Sequence, residues 1–195
     1  MRLQLLAALL FSLFSLALSI PLTTRDSDIT APIVDDNPQD VLFEGSLFDK
    51  KNTTLRGWIT AWAPPSGVGV KIHADFWGFP EKGPFPYHIH QYTIPPSANC
   101  QLAGAHLDPY GRGDEPPCNE RHPQTCQVGD LSGKHSPIYV APGDPFEVEY
   151  TDLFLSTDPS NPAYIGNRSF VVHTPDGDRL NCGNFVVAKD LSDLS

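Results

Sequence analysis

Two histidines two residues apart, His88 and His90 in FPYHIHQYTI, are the first residues in this chain whose types and spacing could do chemistry. A strand alternates its side chains between faces, so H-x-H sets both imidazoles on one side of a stiff element. Paired imidazoles of this kind make half of a transition-metal site. A pair of surface histidines on an amphipathic strand would read the same, so the motif needs further ligands. His106 follows after a Pro-rich bend and Cys100, and His173 ends the strand-like run RSFVVH. Six residues beyond His173 stands Arg179, in GDRLNC.

The elements that must position these side chains are short strands. Partial period-2 alternation marks 41–49, 55–63, 69–79 and 85–94, separated by K-N-T, P-P-S-G and E-K-G-P turn signals. The pattern resumes at 137–141, 146–156, 168–173 and 182–189. Between the two groups, residues 95–137 form a loop region rich in Pro, Gly, Asn and Asp, and loops of that length are usually functional. Eight short strands with no convincing helix predict an all-β sandwich or flattened barrel.

Residues 1–19 combine Arg2, an apolar run and the small-x-small ending Ala17-Leu18-Ser19, the pattern of a secretory leader. That run is too short for a membrane span, which takes about 20 apolar residues. The expected organisation is a leader at 1–19, a disordered polar arm at 20–39, one domain at 40–189 and a tail at 190–195. Removing the single positive charge of the leader from the net −10 leaves −11, an acidic balance that argues against nucleic acid or anionic membrane as partner.

Four cysteines in a secreted chain imply two disulfides, with three possible connectivities. Cys118 and Cys126, eight apart in a polar loop, are natural partners, and Cys100 with Cys182 would then close a long loop. The sequons at Asn52 and Asn167 fit an extracellular compartment and predict exposed turns.

Taken in order, H-x-H, A-G-A-H-x-D-P-Y-G-R, V-G-D-L, F-V-V-H and D-R-L-x-C-G resemble the copper–zinc superoxide dismutase family over roughly residues 40–189. The resemblance implies a Greek-key β-barrel of about eight antiparallel strands. It implies copper ligands at His88, His90, His106 and His173, a disulfide between Cys100 and Cys182, and an active-site arginine at Arg179. It also implies that the bond from His106 to copper breaks or lengthens on reduction and that the ring picks up or shares a proton.

The departures point to a subgroup. Where bimetallic members carry zinc histidines, this chain has Asp114 and Gln127, and only Asp130 matches a zinc ligand. The long charged loop between the last copper histidine and the arginine is missing as well. Both features resemble the secreted copper-only superoxide dismutases of fungi: one copper per chain, no zinc, a monomer acting on superoxide. An orienting partner for His106 must then replace zinc, and Asp130 is the first candidate, with Asp114 and Glu115 behind it. His122 lies nearby but fits a tetrahedral zinc site poorly. His73 and His135 read as surface or solvated residues, and Trp58, Trp62 and Trp77 as sheet-face or core residues. The competing reading is a non-catalytic secreted copper-binding domain on the same scaffold.

Overall fold

A computed structural model describes residues 29–190. The leader, the start of the arm and residues 191–195 lie outside them. The order of elements is β1 (Val41–Ser46), β2 (Arg56–Trp62), β3 (Val70–Trp77), β4 (Tyr87–His90), α1 (Leu131–His135), β5 (Phe146–Asp152), β6 (Ser169–His173), β7 (Arg179–Asn184) and β8 (Val186–Asp190), with short 3-10 turns at Cys100–Ala103 and Pro123–Thr125. The strands form a five-stranded sheet, β5-β3-β2-β1-β8, and a three-stranded sheet, β4-β6-β7, antiparallel throughout.

Alternation builds the core. In β2 and β3 every second residue is buried, so Ile59, Ala61, Ile72, Ala74 and Phe76 face inward while Trp58, Trp62, His73 and Trp77 stand on the outer face. Trp58 and Trp77 meet there edge to face, and His73 Nε2 lies 3.0 Å from Glu147 Oε1. β6 is buried at all five positions, because Phe170 and Val172 enter the main core while Val171 packs under Ile94, Ala103 and the Cys100–Cys182 disulfide. The second disulfide joins Cys118 to Cys126.

Three expectations change. Residues 137–141 do not form a strand. Phe85 and Ile138 exchange backbone hydrogen bonds, but Pro84, Pro86 and Pro137 have no N–H to extend the ladder. The run at 182–189 divides at buried Phe185, where the chain leaves the small sheet and joins the large one beside β1. The arm at 20–39 is not free over its second half. Ala31, Val34 and Asn37 are buried at every third position, a repeat that fits an extended strap and that neither a strand nor a helix pattern would reveal. Asn37 donates from Nδ2 to Gly69 O and Leu155 O, and its Oδ1 accepts from Ser156 Oγ and Thr157 N.

The short helix is anchored by buried charge. Lys134 Nζ, fully enclosed, lies 2.5 Å from Asp152 Oδ2 and donates to Val128 O at 2.7 Å. His135, expected to be solvated, stacks on Tyr150 and has Nε2 2.8 Å from the same carboxylate oxygen. Burial alone would raise the Asp152 carboxyl, but the Lys134 ammonium and His135 outweigh it and hold it at about 2. A carboxyl depressed below its unfolded value stabilises the fold above that value and loses the contribution as protons bind. Stability should therefore fall by roughly 2 kcal/mol between about pH 4 and pH 2 through this group. An Asp152→Asn variant, compared by urea unfolding across that window, should lack this part of the slope.

Candidate metal centre

Register brings four histidines together. Directly opposed residues of an antiparallel pair share a face, and His88 opposes Val171 across β4 and β6. His90 and His173, each two residues along, fall on that same face. His106 arrives from the loop. It bridges His90, while Gln91 N donates to Ala105 O and Leu107 N donates to Ile89 O, so a strand-like segment runs beside β4. Ile89 N also donates to Gly129 O at 2.9 Å, an approach that leaves no room for a side chain, since a Cβ on Gly129 would stand 2.2 Å from Ile89 O.

One donor atom from each of His88, His90, His106 and His173 lies within 4.8 Å of the other three. Opposed nitrogens about 2.0–2.1 Å from a central ion would be roughly 4 Å apart, so the spacing suits a single metal. The ring centroids of His88 and His90 are 6.3 Å apart, as are those of His106 and His173, while the remaining pairs range from 4.0 to 5.6 Å. The two longest separations are the diagonals of a four-cornered figure, the arrangement Cu(II) favours with nitrogen ligands.

The nitrogens that face the centre are the ones without partners. His88 Nδ1, His90 Nε2 and His173 Nε2 are buried and accept or donate nothing. Buried polar atoms are normally paired, so three unpartnered nitrogens around one point fit a bound cation. Burial, together with the neighbouring rings, pushes the His88 imidazole far below its ordinary value. Burial likewise lowers His90, to about 3, against the opposing pull of Gly104 O. His173 is lowered by burial too, with Gly177 O acting against it. Neutral rings are the form that binds a metal.

Three of the rings are hydrogen-bonded from behind, and the fourth faces a carboxylate. His90 Nδ1 lies 3.1 Å from Gly104 O and His173 Nδ1 3.0 Å from Gly177 O. His88 Nε2 lies 3.5 Å from Asp130 Oδ1, and His106 Nδ1 is 2.7 Å from Gln127 Oε1. The expectation that Asp130 orients His106 is therefore corrected. Its carboxylate accepts from Gly133 N at 2.7 Å as the cap of α1, and that constraint turns it toward His88. Gln127 takes the place beside His106, and Gln127 Nε2 donates to Asp114 Oδ1 at 3.1 Å. Glu115 and His122 are exposed and have no part in the cluster.

Arg179 opposes His173 across β6 and β7, after a register shift that follows Val172. Its guanidinium donates to Cys100 O and Gly104 O, both at 2.6 Å. Gly104 O thus serves His90 and Arg179 at once. The position requires glycine, for φ is +76° and a Cβ would stand 2.6 Å from the Tyr92 ring. No carboxylate among the described residues pairs with Arg179, in contrast to an ordinary surface arginine. The Cys100–Cys182 disulfide fixes the segment that supplies the first of these carbonyls. The link from β6 to β7 is a tight turn, in which Gly177 N donates to Thr174 O and Thr174 N to Asp178 O.

The family model described as "Copper/zinc superoxide dismutase (SODC)" matches residues 56–185. The chain is 34% identical over 209 residues to the "Cell surface Cu-only superoxide dismutase" of Arthroderma benhamiae, covering 94% of this chain and 55% of that one. It is 31% identical over 183 residues to "Cell surface Cu-only superoxide dismutase 5" of Candida albicans, covering 93% and 72%. The solved structure of Candida albicans superoxide dismutase 5 with Cu(II) superposes with a TM-score of 0.68 at 31% identity, over 77% of this chain and 94% of that one. The chain spans about half the length of most of the curated relatives it matches. A sandwich that folds as theirs does, matched along two thirds of its sequence, places this chain in the copper/zinc superoxide dismutase family.

Proposed function

We propose that this chain is a secreted copper-only superoxide dismutase, with the leader at 1–19 removed and the domain at 40–189 acting as a monomer. The single observation that carries the copper assignment is the set of three buried, unpartnered imidazole nitrogens around one point, completed by His106. His88 through Nδ1, and His90, His106 and His173 through Nε2, would hold the ion. Bound there, copper supplies one-electron chemistry, taking an electron from one superoxide and returning it to a second, so that two superoxides and two protons give O₂ and H₂O₂.

The remaining roles belong to the protein. Arg179, fixed by two carbonyls beside His90, offers a positive target to an anion approaching an acidic molecule; focusing by a cleft is local and survives an unfavourable net charge. His106 is the ring placed to hold or pass a proton at Nε2, because its other nitrogen is held by Gln127 and its Nε2 is not among the three buried central nitrogens. Asp130 orients His88 and caps α1. A second metal beside His106 is disfavoured because Nδ1 faces an amide oxygen, and the zinc positions hold Asp114 and Gln127. Asn52 and Asn167 are exposed and available as glycosylation sites. The relatives' names place them at the cell surface, in keeping with secretion.

Elemental analysis after reconstitution with both metals, paired with a superoxide consumption assay, tests the reading. One copper, no zinc and rapid dismutation are expected. Copper-loaded protein that leaves superoxide untouched would instead favour a binding domain without catalysis. Arg179→Ala should lower kcat/KM about tenfold or more and flatten its dependence on ionic strength, measured by pulse radiolysis across a salt series.

A further inference from the structure

Three of the four rings have outer partners that can act in only one sense. Gly104 O and Gly177 O are carbonyls, and Asp130 is a carboxylate, so each can only accept a hydrogen bond from the ring beside it. Gln127 is different. One end of its amide accepts and the other donates, and a half-turn of the side chain exchanges them. With Oε1 toward His106, Nδ1 must carry the proton and Nε2 is left bare for a metal. With the amide reversed, Nε2 of Gln127 would donate to Nδ1, and the proton would move to the ring nitrogen that faces the centre.

The far end of the amide decides between them. Gln127 Nε2 donates to Asp114 Oδ1 at 3.1 Å, and no other partner holds this end of the side chain among the described residues. A reversed amide would set its oxygen against that carboxylate, two acceptors with no proton between them. Asp114 is itself exposed, but the loop around it is braced. Asp108 accepts from Arg112 N and Gly113 N, Arg112 donates to Gly113 O and Pro117 O, and Gly113 takes a φ of +77°. The Cys118–Cys126 disulfide then ties the end of this loop to the residue before Gln127.

We infer that Asp114 is a positioning residue for the metal centre: it holds the Gln127 amide in the one orientation that leaves His106 Nε2 free of a proton. The long loop between β4 and α1 thus presents a carboxylate to an amide that is otherwise free to turn. Only the affinity measurement below rests on the copper reading; the ring tautomer exists with or without metal.

The test uses ¹⁵N-histidine-labelled, metal-free protein. Long-range ¹H–¹⁵N spectra of the wild type should show His106 protonated at Nδ1 alone. Asp114→Ala should move His106 toward a mixture of tautomers and weaken copper binding about tenfold in competition with a chelator, the lower end of the range for a ligand's outer partners. Asp114→Glu keeps an acceptor-only carboxylate and should restore the wild-type spectrum and most of the affinity, whereas Asp114→Asn, whose amide can donate as well as accept, should give a mixture of tautomers as alanine does. The inference is overturned if Asp114→Ala leaves the His106 tautomer unchanged, or if Asp114→Glu shifts it as far as alanine does. Wild-type protein with the expected tautomer but no affinity for copper would sink the copper reading and leave the tautomer result standing.

Discussion

His90→Ala should yield a folded protein that neither retains copper nor consumes superoxide. His90 is completely enclosed, its Nε2 faces the centre without a partner, and its Nδ1 is held by Gly104 O. Removing it takes away one corner of the four-cornered figure and frees the carbonyl that also steadies Arg179. The metal-free fold should tolerate this. An unsatisfied buried nitrogen costs about 1–3 kcal/mol, and the variant sheds one while opening a cavity of comparable cost. The contrast appears on adding copper. A ligand that binds only the native state at a thousand times its Kd stabilises by about 4 kcal/mol. Copper should therefore raise the Tm of the wild type strongly and leave His90→Ala unmoved, with copper per chain near zero after dialysis. A variant that kept a full complement of copper and wild-type dismutation would remove the four-imidazole centre from consideration.

Lys134→Met should be the most destabilising single change away from the metal centre, costing about 3–5 kcal/mol. Lys134 and Asp152 are both fully buried, and the methylene stem of the lysine would be well replaced by methionine. The loss is thus one of charge compensation. Asp152 would keep His135 and the Phe154 N–H but lose the ammonium, leaving a buried carboxylate only partly paired. Because α1 carries Lys134 just after Asp130, and Val128 O accepts from Lys134, the damage should reach the backs of His88 and His106. Urea unfolding should show a lower midpoint with an unchanged m-value. The double variant Lys134→Met, Asp152→Leu should recover much of the loss, since removing both charges leaves nothing uncompensated. Equal destabilisation of the single and double variants would show that packing, not charge, is what Lys134 provides.

These two sites differ in how readily they can be read from residues alone. His88, His90, His106 and His173 are visible because each stands in a motif whose residue type is costly to place without purpose. Six of the period-2 runs each reveal one strand in outline, and the run at 182–189 covers parts of two, since burial of one sheet face must leave that imprint. Lys134 and His135, by contrast, read as two polar residues in SGKH at the end of a loop. Nothing local shows that Asp152, far along the chain on β5, will close over them. Asn37 is similar: a polar residue in an acidic stretch becomes a buried junction only when Gly69, Leu155, Ser156 and Thr157 surround it.

The residues by themselves pointed to the four histidines, most of the strands, the pairing of nearby cysteines and the absence of histidine from the zinc positions, because each depends on composition or short spacing. Tertiary structure alone decided which side chain stands behind which ring. Asp130 turned to His88 because it caps a helix, and Gln127 took His106 because the strand-like pairing of residues 105–107 brought them together. Hydrogen bonds between residues far apart along the chain are settled by angstrom-scale register and by competition among partners, and neither quantity is written in the spacing of residues.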